Sequence, residues 1–209
     1  MTHGVSFQSD QISRSRLKIV ALFLLGGLLA SGLVLYAMAE LHEEISDAWL
    51  REVDQNTMEL IHGQASPTLT VIMSALTFIG SIQVILPAAS LVALWLWHKH
   101  RKGQALLAML AVGGSAAMNV GLKLYFHRQR PGVAFASLQE SSFSFPSGHS
   151  VSAISLYGIL AYLLTNRVKS VPARGVILGT MILLVLGIGL SRIYLGIHYP
   201  SNVAAGYLG

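Results

Sequence analysis

Long apolar blocks separated by short polar or basic stretches set the pattern of this chain. They run over about residues 17–39, 67–97, 105–126, 147–165 and 175–190. A helix rises about 1.5 Å per residue, so blocks of this length match the thickness of a bilayer core. Another helix starts after residues 191–200, but from Asn202 to Gly209 there are too few residues to cross. The pattern predicts an all-α, polytopic membrane bundle of about six transmembrane helices, the last one cut short, forming a single domain over residues 1–209. The first block follows Arg14, Arg16 and Lys18. It is longer than a typical signal core and no small-x-small cleavage site follows, so an anchor is favoured over a cleaved signal peptide. Residues 40–66 are polar and acidic, with Leu41, Ile45, Ala48, Trp49 and Val53 recurring at helical spacing. An amphipathic segment on the extracytoplasmic membrane surface and a solvated connection with helical turns both fit. The 67–97 block is too long for one straight span and too short for two with a loop; Gly80 and Ser81 interrupt it and Pro87 is a candidate kink.

Charge settles how often the second block crosses. With one crossing there, Arg14, Arg16, Lys18, Lys99, Arg101, Lys102, Arg167, Lys169 and Arg174 fall on the cytoplasmic side, and every acidic residue except Asp10 falls on the other. Two crossings would scramble that order, so positive-inside bias selects one. Arg51, Lys123, Arg128, Arg130 and Arg192 remain on the outer side against the bias and need a reason. Composition agrees with a bilayer solvent: 53% of the 209 residues are hydrophobic and only 11% charged, against about 25% charged in soluble domains. Without cysteine, neither a disulfide framework nor a thiolate metal site is available. The net charge of +5 sits in short clusters between apolar blocks, which suits membrane topology and argues against a nucleic-acid groove. His98 and His100 read as part of a basic flank rather than as zinc ligands.

Three segments on the outer side carry candidate chemistry. In the first, Lys123 and Arg130 are seven residues apart, about two helical turns, so they share a face if the helix persists; Pro131 discourages its continuation. A basic interface anchor explains this segment equally well. The second, Pro146-Ser147-Gly148-His149, opens an apolar helix. Ser147 is a good N-cap, Gly148 permits close approach to the backbone, and the helix terminus favours an anion beside His149, although taken alone an ordinary capped helix with an interfacial histidine explains the segment slightly better. In the third, Ser191 to Asn202, a helical turn would bring His198 and Asn202 into contact, and Asn202 could hold the imidazole in one tautomer; structural packing of a lone histidine against an asparagine is the alternative. Ser147 lies in no Gly-x-Ser-x-Gly elbow, which argues against a serine hydrolase.

Together the pattern Lys-x6-Arg-Pro, Pro-Ser-Gly-His and Ser-Arg-x5-His-x3-Asn, over residues 123–202, resembles the signature of the type-2 phosphatidic acid phosphatase superfamily, membrane lipid phosphatase branch. The resemblance implies His198 as the nucleophile taking the phosphoryl group, His149 as the acid at the leaving oxygen, and Lys123, Arg130, Arg192, Ser147 and the Gly148 backbone N–H as the phosphate clamp. It implies no metal and no cofactor, since the clamp supplies the positive charge that phosphoryl transfer needs. The partners it implies are a lipid phosphate or diphosphate and the membrane, with phosphatidylglycerol phosphate, phosphatidic acid or polyprenyl diphosphates as candidate substrates. The place it implies is a bacterial cell membrane, with the site facing the periplasm or exterior. No motif reports oligomeric state. One position departs from the family: Asn202 stands where aspartate is usual, bringing no negative charge to His198. In a serine-protease triad the same change lowers turnover by ~10⁴-fold, so either an engineered, inactivated variant or a weakly active natural chain is implied. A lipid phosphotransferase and a non-catalytic lipid-phosphate binder are the alternatives.

Overall fold

The computed structural model describes residues 48–133, 135–136 and 141–208. The expected first span, and residues 40–47 of the acidic segment, lie outside the described residues. Every regular element described is helical. In chain order these are α1 (Ala48–His62), α2 (Pro67–Ile79), α3 (Ile82–His98), α4 (Lys102–Phe126), α5 (Gly148–Thr165), α6 (Val171–Tyr194) and α7 (Pro200–Leu208). Three of them, α4, α5 and α6, are long and apolar enough to cross a membrane.

The 67–97 block divides where the sequence suggested. Ser66 caps α2, its Oγ accepting from the Leu69 N–H at 3.3 Å, with Pro67 in the first turn. Gly80 ends α2, Ser81 opens α3, and the two helices meet at a 44° bend. Pro87 lies inside an uninterrupted α3, so the break belongs to Gly80 and Ser81. A side chain at 80 would run into the Ile188 Cγ2 methyl of α6 and come within 3.4 Å of His149 Cδ2. Glycine at this corner therefore allows α2 to lie tight against α6, immediately beside the second motif.

Helices α5 and α6 form the centre. Ala153, Leu156 and Tyr157 of α5 pack with Val185 and Ile188 of α6 and Ile85 of α3 in one buried cluster. Leu96 of α3 packs with Ala105 and Ala108 of α4 at one end, while Met73 packs with Tyr194, Leu195 and Ile197 at the other. Met58 joins α1 to Ile193 and Val203. Outward faces stay apolar: Leu91, Leu94, Leu107, Leu110 and Leu183 are exposed. In water such faces would be unfavourable; against lipid tails they lose nothing.

Two expectations are corrected here. The helix carrying Lys123 does not persist to Arg130: α4 stops at Phe126, and His127 adopts a left-handed conformation, φ 48°. And α7 starts at Pro200, so His198 precedes it and no helical turn links His198 to Asn202.

Candidate active site

All three motifs converge on one end of the bundle, each delivered by a helix terminus. At the end of α6, Gly196 takes φ +73° and turns the chain back over the helix. The Ile197 and His198 N–H groups then both donate to the Arg192 carbonyl, at 3.0 and 3.2 Å. This is the physical content of the Arg-x5-His spacing: the glycine turn ties the backbone of His198 to that of Arg192. The side chains of both are buried. Arg192 Nη1 donates to Thr77 Oγ1 at 2.9 Å and faces His149 Nε2 at 3.4 Å.

Arg130 arrives by the turn after α4 rather than by helical register. Its Nη1 donates to the Ile197 carbonyl at 3.1 Å and faces His198 Nε2 at 3.1 Å, while Nε donates to the Ser142 carbonyl at 2.8 Å and Nη2 to Ser142 Oγ at 3.0 Å. Lys123 Nζ donates to the Phe143 carbonyl. Burial lowers the His198 pKa well below the usual imidazole value, and the charges of Arg192, Arg130, Lys123 and His149 lower it further. The three clamp cations and His149 therefore all act on one imidazole and favour its neutral form.

Ser147 occupies the N-cap position of α5, but its side chain makes no capping bond and its buried Oγ has no partner among the described residues. The Ser147 N–H instead donates to the Asn202 carbonyl at 3.0 Å, joining the second motif to the third. Gly148 is tight: a Cβ there would lie 3.2 Å from Asn119 Oδ1, and Asn119 Nδ2 donates to the Pro146 carbonyl at 3.3 Å. Asn202 does not hold His198. Its Oδ1 accepts from Arg128, and neither its Nδ2 nor His198 Nδ1 has a partner among the described residues.

Sequence reasoning missed four residues. Thr77 and Asn119 support the clamp and the turn before α5, and Asp54 and Arg128 hold residues 201 and 202. Asn119 could have been found, because it sits four residues before Lys123 on one face of an apolar helix. Among the described residues no three His, Cys, Asp or Glu side chains are grouped as a metal ion would require.

A model of the PAP2 superfamily matches residues 103–209. The chain is 31% identical over 194 residues to phosphatidylglycerophosphatase B of Bacillus subtilis, covering 91% of this chain and 88% of that protein. It is 35% identical over 109 residues to decaprenylphosphoryl-5-phosphoribose phosphatase of Mycobacterium tuberculosis, covering 51% of this chain and 55% of that one. Among solved structures, the transmembrane PAP2-type phosphatidylglycerolphosphate phosphatase from Bacillus subtilis superimposes with a TM-score of 0.74 at 27% identity, over 84% of this chain and 87% of its own. LpxE of Aquifex aeolicus superimposes with a TM-score of 0.58 at 25% identity, over 75% of this chain and 88% of its own. With the family's motifs gathered at one end of a membrane helical bundle, the chain belongs to the PAP2 superfamily.

Proposed function

We propose that the chain removes phosphate from a lipid phosphate or diphosphate at the outer membrane–water interface, through a phosphohistidine on His198. The observation that carries this reading is the pairing of imidazoles with guanidiniums: Arg130 faces His198 Nε2 at 3.1 Å and Arg192 faces His149 Nε2 at 3.4 Å. A phosphate held by these cations lies next to both imidazole nitrogens. Guanidinium groups only donate, so His198 Nε2 carries its lone pair toward that point.

In the first step, Nε2 of His198 forms a bond to phosphorus while the bond to the leaving oxygen breaks. His149 acts as the general acid and donates a proton to that oxygen. In the second step, water adds to phosphorus as the P–N bond breaks, and its proton passes to His149. Lys123, Arg130 and Arg192 spread over the equatorial oxygens, with the start of α5 at Ser147 and Gly148 as a further anion site. The names of the relatives favour a phospholipid or polyprenyl phosphate as substrate.

Asn202 weakens the chemistry. His198 becomes positively charged on phosphorylation, and an amide at 202 offers no compensating charge. The Asn202→Asp protein should release phosphate from phosphatidylglycerol phosphate in detergent orders of magnitude faster than the unchanged chain, with KM little altered, and His198→Ala should abolish release in both. That His198 Nδ1 has no partner among the described residues favours one second reading, a lipid-phosphate binder. Release that stays at background in Asn202→Asp across several lipid phosphates would select the binder. Phosphate appearing on an acceptor lipid would select a transferase.

A further inference from the structure

We propose that Asp54 and Arg128 are positioning residues for His198: a buried carboxylate–guanidinium pair that fixes the side chain at 202 and decides which of its faces the imidazole meets. The inference rests on the reading of His198 as the attacking group. Asp54 belongs to α1, outside the residues matched by the superfamily model, and is 1% exposed. A carboxylate buried so completely needs full pairing. Its Oδ2 accepts from Arg128 Nη2 at 2.8 Å and Ser201 Oγ at 2.5 Å, and its Oδ1 from the Ser201 N–H at 2.9 Å. The Ser201 N–H lies in the first turn of α7, where donors have no acceptor within the helix and a negative charge is favoured.

Arg128 completes the grip. Its Nη1 donates to Ser201 Oγ at 2.7 Å and to Asn202 Oδ1, and its guanidinium lies 4.6 Å over the Tyr199 ring. The pair thus holds three of the four residues that follow His198.

Donor counting shows what this does to the chemistry. Arg128 cannot accept, so the Asn202 atom facing it is the carbonyl oxygen and Nδ2 is turned away. Arg130 cannot accept either, so in the neutral His198 ring Nε2 is bare and Nδ1 carries the hydrogen. Both donors turned from the arginines, Asn202 Nδ2 and His198 Nδ1, lack an acceptor among the described residues. With a carboxylate at 202, Arg128 would occupy one oxygen and leave the second oxygen where Nδ2 now stands, as an acceptor for Nδ1–H. Arg128 therefore makes a carboxylate productive and holds an amide in its unproductive orientation.

A double-mutant cycle tests this. Arg128→Gln and Asp54→Asn are each introduced into the unchanged chain and into Asn202→Asp, and kcat and KM are measured for phosphate release from phosphatidylglycerol phosphate. In the Asn202→Asp background each should lower kcat by roughly tenfold or more with KM shifted by no more than about threefold, as loss of one charge-assisted hydrogen bond implies. In the unchanged chain the loss should be smaller by about tenfold, because the arginine there supports no productive contact. Equal losses in both backgrounds, or a loss carried in KM, would reduce the pair to a structural brace and overturn the proposal. If Arg128→Gln does not fold, Arg128→Lys carries the same cycle. His198→Ala in the Asn202→Asp background separates the two failures, since retained turnover there would remove His198 as nucleophile, whatever the cycle shows.

Discussion

The lowered pKa of His198 follows from burial first and from the charges of Arg192, Arg130, Lys123 and His149 second. As the proposed nucleophile, His198 must be neutral, so protonation should disable it only below the ordinary imidazole value of about 6.5. In the Asn202→Asp protein the acid limb of kcat/KM should accordingly lie below that value; a limb at or above it would contradict the assignment. The linked stability has a definite sign. The unfolded chain takes up the His198 proton first, so this contribution is complete above about 6.5 and is lost as pH falls toward the folded-state value. The two imidazoles should also separate by leaving group. His149→Ala should cost little for a nitrophenyl phosphate, whose leaving oxygen needs no proton, and far more for an alkyl ester, whereas His198→Ala should be equally damaging for both. The opposite pattern would exchange their roles.

At the scale of elements, helix ends do most of the positioning. The left-handed turn at Gly196 folds His198 back onto α6, the start of α5 presents Ser147 to Gly148, and the α2–α3 corner fits under His149. Gly80 is the sensitive point of that corner, because any Cβ meets Ile188. Gly80→Ala should lower stability by about 1–3 kcal/mol through overpacking and reduce kcat by displacing His149. Combined with Ile188→Ala it should cost less than the sum of the two single changes in thermal denaturation. Strict additivity would mean that the corner shifts freely and does not hold His149.

For the whole molecule, the sorting of charge gives an orientation that labelling can check. A cysteine replacing the exposed Ser141, beside the site, should react with an impermeant thiol reagent added outside intact cells, and one replacing the exposed Ser170 should not. The chain has no cysteine of its own, so the background is clean. Reversed labelling would place the site in the cytoplasm. The same end of the bundle collects Lys123, Arg128, Arg130 and Arg192, four of the five cations that positive-inside bias leaves unexplained. Cations kept against that bias are retained where a ligand or a partner needs them. Three face the proposed phosphate position and Arg128 faces Asp54.

The helical bundle and its candidate site residues were legible in the sequence. Apolar runs define helices through local hydrophobicity, Ser66, Gly80 and Ser81 mark their ends through local backbone preference, and the motif residues are recognisable by spacing alone. Spacing misled where it assumed that a helix continued, between Lys123 and Arg130 and between His198 and Asn202, because His127 and Gly196 leave the helical region. The folded chain alone shows that Asn202 turns its carbonyl to Arg128, and that Asp54 and Thr77 bond to Ser201 and Arg192, 147 and 115 residues away in sequence. A hydrogen bond between helices leaves no periodicity in either of them. It depends on which faces the packing of α1, α2, α6 and α7 turns toward each other, and that is settled only when the apolar surfaces meet.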